Sequence, residues 1–160
     1  MNRENPAGVA KLYYFTPAQW DGFADLAALT VANIESGTDI TGAAETEELA
    51  ERSGWKPQAS TVDTPGMASK PISNIPGRST KGVGMLRYYS DPTETTIRSL
   101  LNVGKDGGLV YCPHGVTVGY GYEATSFEVM TNTFDEVGET AAQTYTVECS
   151  QGLTISGTVA

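Results

Sequence analysis

Apolar and polar positions alternate through the last third of the chain. Val116, Val118, Tyr120 and Tyr122 fall on one side and Glu123 on the other. Phe127 and Val129 flank Glu128, and Tyr145, Val147 and Cys149 oppose Glu148. A period of two is the signature of a strand with one buried and one solvated face. GLVYCP, GVTVGYGYEA, SFEVMTNTF, QTYTVECS and GLTISGTVA are separated by Pro, Gly, Asn and Asp, so they read as successive strands. If they share a sheet, that sheet has one packed face and one acidic, Thr-rich face.

Upstream, KLYYF at 11–15 and GVGMLRYYS at 82–90 also predict strands, and WKPQASTV opens a strand-like stretch. Residues 16–42 are punctuated by Pro17, Gly22, Gly37 and Gly42 and read as strand or turn without strong periodicity. AAETEELAERSG at 43–54 has good helix formers and a Glu48/Arg52 pair four residues apart, but a thin apolar face. It fits a short surface helix or an ordered loop. One helix signal is clear, in SDPTETTIRSLLNVG. Asp91 is placed to cap, Pro92 to open the first turn, and Glu94 to complete the cap. Ile97, Leu100 and Leu101 form an apolar stripe, and Gly104 follows as a stop. The expectation is a helix over about residues 92–102 laid on a sheet. Between strands, TVDTPGMASKPISNIPGRSTKG at 61–82 is rich in Pro and Gly and predicts a long extended loop over about 63–81. The fold class is mainly β: a single-domain sandwich or barrel spanning 1–160, with one flanking helix.

Composition supports a folded chain. Its 160 residues suffice for one core without disulfides, and 18% charged residues is low for a disordered segment. The opening MNRENPAGVAKLYYF does not read as a signal peptide, and no segment is apolar for long enough to cross a bilayer. The expectation is a soluble protein made in a cytoplasm. The net charge of −9 is unevenly laid out. Residues 12–51 hold eight acids and no Lys or Arg; residues 52–105 hold eight bases against three acids; residues 106–160 hold seven acids and no Lys or Arg. Such segregation fits complementary surfaces that steer self-association, or charges folded together within one molecule.

Candidate chemistry is sparse. His114 lies alone in a turn, and Cys112, His114 and Cys149 match no zinc spacing. Two buried thiols are expected in place of a disulfide. There is no GxSxG and no phosphate-binding glycine loop. Gly119 and Gly121, within a strand pattern, suggest a bend or close backbone packing. Glu47 and Glu48 read as a solvated face, and Trp20 and Trp55 as core or interface anchors. No cofactor, metal or enzymatic site is expected. Gripping nucleic acid needs Lys and Arg, which are concentrated in the middle third. An acidic sheet would repel phosphate, a property suited to letting DNA slide past.

NPAGV at 5–9, LTVANIESGTDITG at 29–42 and TVDTPGMASKPISNIPGR at 61–78, followed by LRYYSD and TTIRSLL, resemble the major tail proteins, or tail tube proteins, of long-tailed phages infecting actinobacteria. The resemblance covers about the first hundred residues and is most specific in the TVDTP, SK and IPGR pieces. It implies a tail-tube β-sandwich or barrel flanked by a helix. Subunits would form hexameric rings that stack into a tube, with inner sheets lining a lumen through which the genome leaves. Implied partners are other copies of the chain, a tape measure protein, tail terminator and tip proteins, and DNA passing without specific binding; no membrane is involved. The place of action would be the virion tail, after assembly in the host cytoplasm. On this reading Glu123, Glu128 and Glu148 are expected to face the lumen. Asp63, Lys70, Arg78 and Lys81, in the long loop, are expected to contact the next ring. The rival readings are a β-sandwich decoration or receptor-binding module, and an inner tube subunit of a contractile tail or secretion system.

Overall fold

The computed structural model describes residues 10–42, 47–56, 58–64, 73–80, 82–93, 95–136 and 142–160. The strands are β1 (Lys11–Phe15), β2 (Thr38–Asp39), β3 (Leu49–Ser53), β4 (Gln58–Thr64), β5 (Ser73–Thr80), β6 (Gly84–Tyr89), β7 (Asp106–Cys112), β8 (Gly121–Phe134) and β9 (Thr144–Thr158). The helices are α1 (Pro17–Asp21), α2 (Val31–Glu35) and α3 (Thr96–Leu100). Seven strands form one antiparallel sheet in the order β2-β1-β7-β8-β9-β6-β3, while β4 and β5 pair as a separate two-stranded ribbon. The mainly β expectation holds.

The sheet curls into a half-barrel. Its curvature is visible in one side chain: Arg52 on the edge strand β3 lies 4.1 Å over the ring of Tyr111 on β7, with β8, β9 and β6 between them in the sheet order. The inner face packs Leu12, Tyr14, Leu86, Tyr88, Phe127, Val129, Tyr145 and Val147, and α3 plugs it with Ile97 and Leu101. A second core lies on the opposite face, where α1, α2 and their linker cover Phe15, Val110, Cys112, Tyr122 and Ala124. Fully burying side chains of this size contributes roughly 1.5–3 kcal/mol each. The Tyr122 hydroxyl fastens this cover, donating to the Leu26 carbonyl at 2.6 Å and accepting the Leu29 N–H at 2.9 Å. Trp20 lies flat over Gly108, where any Cβ would collide with its ring.

Several local expectations are corrected. Residues 16–42 hold two short helices. Thr16 caps α1 in a capping box with Gln19, and Thr30 caps α2. The expected helix or loop at 43–54 is instead strand β3 from Leu49, because pairing with β6 outweighs weak helix propensity; 43–46 lie outside the described residues. The helix near 92–102 is shorter. Asp91 accepts from the Thr93 N–H and hydroxyl, forming a turn, and helix begins only at Thr96. The extended loop at 63–81 is in large part the ribbon β4–β5. The five expected C-terminal strands are three, since β8 and β9 each run through two predicted segments. Val116, Val118 and Tyr120 precede β8 in a turn, so they share no strand face with Tyr122.

Candidate assembly surfaces

Strand register decides which acids share a face. On β8, Tyr122 and Ala124 belong to the second core, and the even-numbered residues continue outward as Ser126 and Glu128. Glu128 stands opposite Ser150 on β9. Extra residues on β9 between Gln151 and Thr154, and on β8 at Met130, shift the register, after which Thr131 pairs with Glu148. The Thr131 hydroxyl donates to Glu148 Oε2 at 3.2 Å. Glu128 and Glu148 therefore share the outer face with Thr131, Thr133, Thr146 and Ser150. Glu123 does not join them. It is odd-numbered on the same regular stretch of β8, pairs with Tyr111, and belongs to the inner face. The parity of 123 against 128 carried this signal, and it was hidden by reading one strand as two.

The outer face continues onto β6 and β3. Arg87 Nη1 lies 2.9 Å from Glu51 Oε2, and its Nε lies 3.5 Å from Asp135 Oδ2. Asp135 accepts the hydroxyls of Thr144 and Thr146, each at 2.7 Å. Burial, the largest single influence, raises the Asp135 pKa, but the two hydroxyls and Arg87 together outweigh it and hold the carboxyl below its ordinary value. The result is a polar sheet face rich in threonine and carboxylate, interrupted by the exposed side chains of Met85, Tyr89 and Met130.

The ribbon β4–β5 carries the backbones of Asp63 and Arg78; Lys70 and Lys81 lie outside the described residues. Its root is clamped. The Gln151 side-chain amide donates to the carbonyls of Gly54 at 2.7 Å and Gly82 at 2.8 Å, one on each side of the ribbon. Gly54 has a φ of +77°, and a Cβ there would strike the Val83 carbonyl. Trp55 sits beneath in the inner core, its indole N–H donating to the Met85 carbonyl at 3.1 Å.

At the mouth of the half-barrel, Arg52 is held between Tyr111 and Trp55, at 4.1 and 5.5 Å from their ring centroids. The Glu123 carboxylate lies 3.7 Å from it. Burial lowers the Arg52 pKa, with Glu123 and Tyr111 acting in the opposite sense.

The Cys112, His114 and Cys149 trio is not brought together, because the two thiols belong to cores on opposite faces of the sheet. Both are free and buried. Glu47, read from the sequence as a solvated acid, is instead 1% exposed. Its Oε2 accepts the N–H groups of Ile97 at 2.8 Å and Arg98 at 3.4 Å, and so caps α3 from fifty residues away.

These features define a mainly β protein whose distinctive surfaces are a polar sheet face and a two-stranded ribbon not hydrogen-bonded into the main sheet. A family model described as phage tail tube protein matches residues 8–158, and the chain belongs to that family. The family is a structural one, so the protein is a structural component and not an enzyme. Among solved structures, the chain is similar to the sheath/tube terminator of an extracellular contractile injection system, PVC, in its extended state. The TM-score is 0.63 at 11% identity, covering 98% of each chain. It is also similar to a chain of the sheath–tube complex of such a system, with a TM-score of 0.55 at 15% identity, covering 69% of this chain and 81% of that one. At these identities the likeness is one of fold. No curated protein matches the chain.

Proposed function

We propose that the protein is the repeating subunit of a phage tail tube, forming hexameric rings that stack around a lumen through which DNA passes during ejection. The observation that carries this reading is the outer sheet face, where Glu128 and Glu148 stand among Thr131, Thr133, Thr146 and Ser150 on a chain that belongs to the tail tube family. A wall of carboxylates and hydroxyls repels phosphate and stays wet, so DNA slides along it without being held. In this arrangement β4–β5 reaches the next ring, with Asp63, Lys70, Arg78 and Lys81 as its contact charges. Glu123, on the inner face beside Arg52, leaves the set of lumen residues. Assembly on a tape measure protein, closure by terminator and tip proteins, and synthesis in the host cytoplasm complete the proposal. The actinobacterial host rests on the sequence resemblance alone.

A phage carrying Glu128→Lys and Glu148→Lys tests the lumen assignment. Substitutions on an exposed face typically change stability by within about 0.5 kcal/mol, so folding and tail length are expected to be retained. DNA release and plaque titre are expected to fall, because lysines grip phosphate. Normal titre with the variant incorporated in tails would exclude this face as the lumen wall.

A second reading is supported by the solved structures, both from a contractile injection system: an inner tube subunit or a tube terminator. A terminator stops at a single ring, whereas a tube subunit elongates, and sedimentation of the purified protein separates the two.

A further inference from the structure

Two clefts of opposite charge lie toward the two ends of β7. One, of about 650 Å³, opens at the mouth of the half-barrel and is lined by Arg52, Lys56, Tyr111, His114, Glu123 and Ser156. The other, of about 490 Å³, lies beside α1 and is lined by Asp21, Asp106 and Glu128 together with Trp20, Ser126 and Gln151. Asp106 opens β7 and pairs with Glu128; Tyr111 stands near its end and pairs with Glu123. Asp106 and Tyr111 are five residue steps apart along β7, roughly 17 Å at about 3.3 Å per residue.

Cationic side chains predominate in the cleft at the mouth. The Arg52 side chain is 18% exposed, and its guanidinium is fixed by stacking on Tyr111. It is nonetheless poorly satisfied within the subunit. Among the described residues its Nε–H is buried without a hydrogen-bond partner, and the Glu123 carboxylate, at 3.7 Å, lies beyond the 2.7–2.9 Å of a charge-assisted hydrogen bond. Lys56 and His114 share the cleft, so basic side chains outnumber its one acid. On a chain of net charge −9 this is an unusual local balance.

We propose that the Arg52 cleft is a socket for a second copy of this chain, receiving the Asp21 and Asp106 carboxylates of its neighbour. The two surfaces differ and lie toward opposite ends of β7, so the socket of one copy can take the acidic cleft of the next in a head-to-tail, heterologous contact. Each copy offers one socket and one acidic cleft, and the contact repeats from copy to copy. This rests on the reading of the protein as a self-assembling subunit. It adds which surfaces mate and through which charges.

Charge exchange tests it. Lys56→Glu alone, and Asp21→Lys with Asp106→Lys, each make a self-repelling pair, and each variant is expected to lose assembly as read by sedimentation velocity. Mixing the two variants restores complementarity at every contact, so assemblies containing both are expected to return. The retention of a folded wild-type circular dichroism spectrum separates lost assembly from lost folding, and avoids relying on the partly buried Arg52. If both variants assemble as the wild type does, or if the mixture fails while each variant is folded, the socket is overturned and the tube reading stands. If the wild type itself remains monomeric at every concentration, both are overturned.

Discussion

Glu47 is the residue whose role the sequence concealed most. It lies in a run of acids whose apolar neighbours at helical spacing are only alanines, and nothing local distinguishes it from a solvated side chain. Only the fold brings it to the N-terminus of α3, where it accepts two backbone N–H groups. Glu47→Ala leaves those donors buried and unpaired, which costs roughly 1–3 kcal/mol. Urea denaturation should show a lowered midpoint with little change in slope. The thiols give a second test. Burial pushes Cys112 up to about 11, and burial with a lesser contribution from Glu148 pushes Cys149 up to about 12, from an ordinary value of 9.0. The unfolded chain therefore ionises first as pH rises. The associated stability is fully present below pH 9 and is lost progressively up to about pH 12. Burial raises Tyr88 and Tyr122 in the same sense. Melting temperature measured from pH 8 to 11 should fall, and replacing both cysteines by alanine should make that fall shallower.

At the scale of elements, aromatic and branched residues between turn signals identified β1, β6 and β7, which lie close to where the sequence placed them. Lengths were less legible. β8 and β9 continue through predicted breaks because bulges absorb the irregular residues without ending the strand. The helices of residues 16–42 are a different kind of omission. Thr16-Pro-Ala-Gln19 is a capping box visible in the sequence, but helices this short carry no apolar periodicity to draw notice. The 61–82 segment has few large apolar residues, in keeping with strands β4 and β5 that pair with each other and not with the main sheet. As a ribbon it is an element in its own right. Deleting residues 66–78 should leave the body folded, as judged by far-UV circular dichroism, while preventing stacking. Long tubes from that deletion would exclude the ribbon as the stacking element.

For the whole molecule, segregated charge in the sequence becomes segregated charge in space only in part. The acids of residues 106–160 divide between two faces: Glu128 and Glu148 on the outer one, Glu123 on the inner. The bases of residues 52–105 divide similarly, with Arg52 at the barrel mouth and Arg87 tied to Glu51 and Asp135 on the sheet. Class and family were legible from composition, alternation and a few specific segments. The face presented by each acid was not, because it depends on register and bulges that no local window contains.

Cryo-electron microscopy of the purified wild-type protein at increasing concentration tests the central claim most directly. The account predicts six-fold rings or tubes with an open channel, lined by the β8–β9–β6 face with Glu128 and Glu148 toward its axis. Dispersed single particles at every concentration, or a channel lined by another surface, would contradict it.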